Sequence, residues 1–327
     1  VGSHVLATWA LVSKFQKGLD GAAAAVSISN SVQMFLTMIY LAYHMKTSEH
    51  GGKCWQFDWR ETFKGWGEYL KLALPACAQL FSKWWMFELV IILSGILPPK
   101  HTAKSHAYVA SMGVSNNIDA LLFYLCLGVA FATNSTVGNH LGAGDWRRAK
   151  LAGKMALVVN FILWVFCAIL LLEPQLQKLF IEMYAGDHEK STEVRALLKH
   201  MMVYIVILQL ADGSKEMLNS VLTATARQRA GAITAGISYN GIGLPAVLLL
   251  AFHGKSWYGG VYGLWLGLVI ATYSVLGLNL IAVGMTKWER EAEKARERSG
   301  ARQAEAAAPS DSVEDGTLQT PLLDGNE

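Results

Sequence analysis

The sequence predicts an all-α polytopic membrane protein. Hydrophobic residues make up 53% of the 327-residue chain and charged residues only 16%, whereas soluble domains carry roughly 25% charged residues. The charges are concentrated in short linkers between long, nearly uncharged stretches. A helix needs about 20 apolar residues to cross a hydrocarbon core of about 30 Å. The stretches that reach this length, about seven in number, lie near 22–43, 70–97, 107–135, 152–173, 198–222, 229–253 and 258–285.

The linkers between these stretches predict the orientation of the chain. If the spans alternate in direction, the loop at about 45–69 and the tail at 286–327 fall on the side with more Lys and Arg. An excess of basic residues marks the cytoplasmic side, so we expect a cytoplasmic C-terminus. The run KWEREAEKARER at 287–298 favours a solvated helix leaving the membrane. After about residue 298 the chain is rich in Ala, Ser, Gly and acidic residues, which predicts disorder.

Three functional classes find no support in the sequence. It contains no GxSxG, HExxH or GxxxxGK[ST] motif, so an enzyme is not expected. The cysteines Cys54, Cys77, Cys126 and Cys167 lie far apart without metal-ligand spacing, so we expect neither a metal nor a cofactor. A net charge of +3 is too small to indicate a nucleic-acid partner. The partner that the composition does indicate is the lipid bilayer.

Ionisable residues inside the predicted spans are the strongest functional signal. A charge at the centre of a bilayer costs about 2.5–3.5 kcal/mol, so such residues usually face a cavity, a partner or an ion pathway. The ionisable residues of this kind are Lys83, Glu88, Asp119, Asp212, Lys215 and Glu216.

Helical spacing separates these residues into groups. Lys83 and Glu88 are five residues apart, about 140° around a helix, and so make a poor pair. Asp212 shares a helix face with Lys215 and Glu216. Lys215 can then neutralise one carboxylate and leave the other to take up a proton, as a proton-coupled carrier requires. We therefore place Glu88 and Asp212 first as functional residues, whereas Lys215 and Glu216 lie nearer a span end, where their charged groups can snorkel to water.

Five motifs follow one another along the chain. They are GWGEYLKLALPACAQLFSKWWMFELVIILSGIL from Gly65, VGNHLGAGDWRRAKLAG from Val137, LTATARQRAGA from Leu222, YNGIGLP from Tyr239 and GLWLG from Gly263. In this order they resemble the multidrug and toxic compound extrusion (MATE) family of antiporters. The resemblance covers about residues 20–290, nearly all of the chain before its polar tail, and the KWEREAEKARER run is most similar to plant and algal members.

The resemblance implies an architecture of two lobes with six helices each. Residues 1–44 would be the end of the N-terminal lobe, 45–69 the cytoplasmic loop between the lobes, 70–285 the C-terminal lobe, and 286–327 the cytoplasmic tail. The chain begins with Val, and its first apolar stretch, at 5–13, is too short to cross a membrane. On this basis we expect the sequence to be N-terminally truncated.

The resemblance also implies an activity. Members of the family are secondary antiporters, so we expect export of small organic solutes, such as xenobiotics or secondary metabolites, by alternating access. Protons are the expected coupling ion in preference to sodium, and the expected location is the plasma or the vacuolar membrane. The alternatives are a half-transporter that does not transport by itself, and a flippase for a lipid-linked precursor, which would need a more basic cavity.

The family pattern assigns roles to individual residues. Glu88 and Asp212 match acids of the pattern, and Asp119 lies two residues past a position where some relatives have an acid. Together with Lys83, these residues form the predicted proton- or substrate-binding set. A smaller departure from the pattern is Ala226, which stands where glycine is usual.

Lys83 is the main departure from the family pattern, which has Glu-Trp-Trp where this chain has Lys83, Trp84 and Trp85. The lysine can pair with Glu88 or Asp212 as a permanent internal cation, shift selectivity toward anionic substrates, or abolish coupling. The two tryptophans either form an aromatic cavity wall for organic cations or face lipid.

Overall fold

The computed structural model describes residues 2–47, 66–97, 105–185, 191–254, 258–298 and 300. Every regular element in these residues is helical, which confirms the predicted all-α class. The elements are α1 (Gly2–Thr8), a π-helical segment (Trp9–Lys14), α2 (Gly18–Thr47), α3 (Trp66–Ile96), α4 (Ser105–Gly142), α5 (Trp146–Leu172), α6 (Pro174–Ala185), α7 (Ser191–Ala224), α8 (Gln228–Ala235), a second π-helical segment (Gly236–Gly243), α9 (Leu244–His253), α10 (Val261–Gly284) and α11 (Trp288–Arg298).

Seven spans that are long and apolar enough to cross a membrane lie within the described residues, which confirms the predicted number. Six of the spans lie within α2, α3, α4, α5, α7 and α10. The other span, Gln228–His253, joins α8, the second π-helical segment and α9. The predicted ends change most at the start of α7, which is Ser191 instead of about residue 198, and at the end of α4, which continues to Gly142 instead of ending near residue 135. The last turns of α4 are polar in composition but keep helical geometry, so hydropathy alone ended this span too early.

The chain divides into two compact units, Val1–Trp66 and Gly67–Glu327. In the first unit, α1 packs against α2, and His4 Nδ1 lies 3.2 Å from Ser29 Oγ. The division falls inside the loop predicted at 45–69. Most of that loop, and nearly all of the segment predicted to be disordered, lie outside the described residues.

α7 is the central helix of the second unit. It packs against α4, α10 and α5, and it is the most buried of the spans. Its core-facing side chains include Leu198, Met201 and Ile205, which are fully buried. Because neighbouring helices surround α7, polar side chains in its middle such as Gln209, Asp212 and Lys215 are buried and need partners on those helices.

Two glycines bring α9 and α10 into close contact. A Cβ atom on Gly263 would lie 2.5 Å from the carbonyl oxygen of Leu250, and a Cβ atom on Gly267 would lie 2.6 Å from Val247 Cα. Backbone atoms are among those in the way at both positions, and they cannot move aside as a flexible side chain can. The GLWLG motif is therefore a packing contact of the small-residue type that is common between membrane helices.

Two turns at the same end of the spans each contain a residue in the left-handed backbone conformation. After α4, Gly144 adopts a φ of 82°, which glycine accommodates without strain. The side chain of Asp145 then accepts a hydrogen bond from Arg148 N at 2.9 Å and caps α5. After α7, Ala226 adopts a φ of 55°, which costs a residue with a Cβ atom about 1–2 kcal/mol. This conformation explains why the family pattern has glycine at that position.

The tail helix α11 corrects the prediction of a wholly solvated helix. Glu291 and Ala292 are buried, and Ala292 belongs to an apolar cluster that contains Leu141 and Val221. One face of α11, which includes Glu291, therefore packs against the ends of the spans, and its other side is exposed as predicted.

Candidate functional site

An ion-pair cluster lies in the core of the second unit, where α3, α4 and α7 meet. Lys83 Nζ of α3 lies 3.0 Å from Asp212 Oδ2 of α7. Lys215 Nζ, one turn further along α7, lies 2.9 Å from the other carboxylate oxygen, Asp212 Oδ1. The side chains of Asp212, Lys215 and Lys83 are 0%, 2% and 12% exposed. The Asp212 carboxylate is thus held between two buried ammonium groups.

An aromatic ring covers the ammonium group of Lys83. Its Nζ atom lies 3.3 Å from the centroid of the Phe123 ring on α4, a cation–π contact. Phe123 follows Asp119 by four residues, so the two side chains share a face of α4. Of the two partners predicted for Lys83, Glu88 and Asp212, the structure gives Asp212. The carboxylate and the ring together satisfy a charge that lipid would not tolerate.

A chain of polar contacts extends from Lys215 toward α10. Lys215 Nζ lies 3.4 Å from Glu216 Oε2, and Asn219 Nδ2 donates to the same oxygen at 3.3 Å. Asn279 Nδ2 of α10 donates to Asn219 Oδ1 at 2.7 Å, and Thr234 Oγ1 of α8 donates to Asn279 Oδ1 at 2.7 Å. Lys215 does not snorkel, which corrects that prediction, because α7 is too central for its side chain to reach water.

Asp119 is the second buried carboxyl group of the site, and it is held differently from Asp212. Gln209 Nε2 of α7 donates to both the carbonyl oxygen and Oδ1 of Asp119, each at 2.8 Å. Asp119 forms no ion pair with any described residue, although it lies within electrostatic range of Asp212 and Lys83. Its immediate hydrogen-bond partner is therefore a neutral amide.

The cluster borders a cavity of about 230 Å³ in the second unit. Both lysines and the exposed edge of Glu216 face it. Tyr239, in the second π-helical segment, also lines it, and π-helical segments occur frequently at functional sites. Its remaining polar lining residues are Gln79, Asn134, Asn219, Ser220 and Thr223.

The predicted site residues therefore separate into two groups. Lys83, Asp119 and Asp212 come together in the cluster. Glu88 is exposed on α3 and forms no hydrogen bond or ion pair with any described residue. Trp84 and Trp85 are also exposed and do not line the cavity. For Glu88, the rotation of about 140° between positions five apart on a helix accounts for its separation from Lys83.

Sequence reasoning missed the neutral members of the site. Phe123, Gln209 and Tyr239 carry no formal charge, so a search for ionisable residues in apolar spans does not find them. Gln209 does leave a weak signal, since it precedes Asp212 by three residues and shares its helix face. The burial of Lys215 also leaves no signal in the sequence, because the residue lies near the end of a predicted span.

In the part of the chain that the structure describes, no group of three or more His, Cys, Asp or Glu side chains is arranged to hold a metal ion. The described cysteines Cys77, Cys126 and Cys167 are unpaired.

Comparison with known proteins finds similarity over most of the length of the chain. The MatE family model matches residues 75–249. The chain is 30% identical over 295 residues to Protein DETOXIFICATION 51 of Arabidopsis thaliana, covering 90% of this chain and 52% of that protein. It is 28% identical over 297 residues to Multidrug and toxin extrusion protein 1 of Mus musculus, covering 90% and 48%.

The solved structures agree with this similarity. The crystal structure of the eukaryotic MATE transporter AtDTX14 superposes with a TM-score of 0.77 at 27% identity, covering 90% of this chain and 62% of that one. The chain spans about half the length of the curated relatives it matches.

Proposed function

The chain belongs to the MatE family, and from that premise we propose that it forms one lobe of a carrier that exports small organic solutes in exchange for protons. Because the chain spans about half the length of its curated relatives, the proposed activity is that of the natural protein that contains this sequence. Its location would be the plasma or the vacuolar membrane, with α11 in the cytoplasm. The observation that carries the proposal is the different surroundings of the two buried carboxyl groups of the site. Asp212 is paired with two lysines, whereas Asp119 accepts a hydrogen bond from the neutral amide of Gln209.

The charges of the cluster support Asp119 as the group that exchanges protons. Lys83, Lys215, Asp212 and Glu216 balance to zero when all are ionised, which leaves Asp119 as the one further charge. A proton on Asp119 disturbs only its contact with Gln209. A proton on Asp212 would leave two buried ammonium groups without their shared counter-charge, which is far more costly.

Lys83 is proposed to act as an internal cation. Its Nζ atom lies where an exchanged cation would otherwise contact Asp212, and Phe123 covers it. The charge is already neutralised, so Lys83 offers little attraction to an anionic solute. The same neutralisation disfavours the flippase alternative, because the lysines that border the cavity, Lys83 and Lys215, are both paired.

The side of the cavity with Glu216 is proposed to contact the solute. Glu216 is 22% exposed, and neutral amides such as Gln79 and Asn134 lie around the same cavity. These groups suit a neutral or cationic solute that can form hydrogen bonds. Glu88 is kept as a proposed binding residue separate from the proton site, since a carboxylate on an apolar span needs a partner.

Asp119→Asn is the variant that tests this proposal. In vesicles that contain the natural protein, we expect it to abolish the acceleration of transport by a pH gradient. Exchange of labelled for unlabelled solute without a gradient should continue, because the cavity lining is intact. A fluorescent organic cation and an organic anion serve as probes. The rate of transport with a pH gradient and the rate of exchange without one together separate loss of coupling from loss of the fold.

Asp145→Asn is the matched control for that variant, since asparagine caps a helix as well as aspartate does and Asp145 lies outside the site. It should leave both rates unchanged. Normal acceleration by a pH gradient in Asp119→Asn would refute the assignment of Asp119, and an equal loss of both rates would mean that Asp119 is structural.

A further inference from the structure

A second cavity of about 230 Å³ lies between α5, α7 and α10, beside the first residue of α11. It shares no lining residue with the cavity at the ion-pair cluster. Its wall includes residues from the beginning of α5 and from the ends of α7 and α10, so it lies at one end of the spans. Gly153 leaves room for this arrangement, since a Cβ atom there would lie 3.1 Å from Val221 Cγ2.

The lining of this cavity changes from apolar to charged along the spans. The deeper residues are apolar: Leu157 on α5, Leu218 on α7 and Leu280 on α10. Toward the ends of these helices the lining includes Lys150 and Lys154. An apolar interior with a charged rim is the polarity profile of a lipid, whose acyl chains lie deeper in the membrane than its headgroup.

The two lysines are suited to a phosphate group. Lys150 and Lys154 lie one turn apart on the same face of α5, both are exposed, and neither forms an ion pair or a hydrogen bond with any described residue. Trp288 completes the rim, and tryptophan is enriched at the boundary between membrane and water. A rim with this composition suits the depth of lipid headgroups.

We propose that this cavity binds an anionic phospholipid, with its phosphate between Lys150 and Lys154 and an acyl chain against Leu157, Leu218 and Leu280. Basic pockets between membrane helices are a recognised way to hold anionic headgroups. A soluble anion would contact the lysines but would leave the apolar wall uncovered. The proposal is independent of proton coupling, because no residue of the ion-pair cluster takes part in it.

Lipid titration followed by native mass spectrometry tests the proposal on the purified protein in detergent. Phosphatidylglycerol should bind more tightly than phosphatidylcholine with the same acyl chains. The double variant Lys150→Gln/Lys154→Gln should weaken the binding of phosphatidylglycerol about thirtyfold, from the usual contribution of a basic residue near an anionic lipid surface. Binding of phosphatidylcholine should not change.

The control is Lys178→Gln/Lys199→Gln, which removes the same charge from exposed lysines outside the cavity and should leave phosphatidylglycerol binding unchanged. An equal loss in this control would show that general surface charge, and not the cavity, attracts the lipid, and would overturn the proposal. So would equal affinity for the two lipids in the unaltered protein. Displacement of phosphatidylglycerol by inorganic phosphate would overturn it as well, since it would mean a site for soluble anions.

Discussion

Asp212→Asn should lower the free energy of unfolding by about 3–5 kcal/mol, the cost of removing one partner from a buried ion pair. The substitution leaves Lys83 and Lys215 buried beside an amide that cannot balance their charges. Asparagine has nearly the same shape as aspartate, so the loss reports charge and not volume. Unfolding of the purified protein in mixed micelles of mild detergent and sodium dodecyl sulfate measures it.

Lys83→Met should cost less than Asp212→Asn, because Lys215 still neutralises Asp212. The double variant Lys83→Met/Asp212→Asn should be more stable than the sum of the two single losses predicts, with a coupling energy of about 1–3 kcal/mol. It removes one charge of each sign and keeps the contact between Lys215 and Glu216. Additive losses would contradict the direct pairing of Lys83 with Asp212.

Gly267→Ala and Gly263→Ala should each destabilise the protein by about 3 kcal/mol, near the upper end of the usual cost of overpacking. The added methyl group would lie 2.6 Å from Val247 Cα in the first variant and 2.5 Å from the carbonyl oxygen of Leu250 in the second. To admit it, α9 and α10 would have to move apart. Thermal unfolding in detergent measures the loss.

Gly277→Ala is the matched control on the same helix, since a Cβ atom at Gly277 would meet nothing within 4 Å. Alanine is a better helix former than glycine by about 1 kcal/mol, so this variant should be slightly more stable than the unaltered protein. A similar loss in all three variants would mean that the glycines matter for backbone flexibility and not for helix packing.

The seven spans could be predicted from the sequence because the physical requirement is local. About 20 apolar residues in a row suffice to cross a bilayer, whatever the neighbouring helices do. Span ends were less accurate, as α4 shows by continuing to Gly142. The packing of α11 was missed because its composition is strongly charged, and the buried Ala292 gives little signal among charged neighbours.

The candidate site was predictable only in part, because its contacts join distant parts of the chain. Helical spacing showed that Lys215 can reach Asp212, but nothing in the sequence states that α3 lies beside α7. The choice between Glu88 and Asp212 as the partner of Lys83 therefore needed the structure. Burial of Lys215 follows from the central position of α7, which hydropathy does not encode.

Infrared difference spectroscopy of the carboxylic acid C=O band tests the central claim, proton exchange at Asp119, most directly. The purified natural protein and its variants are compared while the pH is lowered. We expect a band that reports proton uptake in the unaltered protein, that is absent from Asp119→Asn, and that persists in Glu88→Gln and in Asp145→Asn. A band that survives Asp119→Asn and disappears in Glu88→Gln or Asp212→Asn would contradict the account.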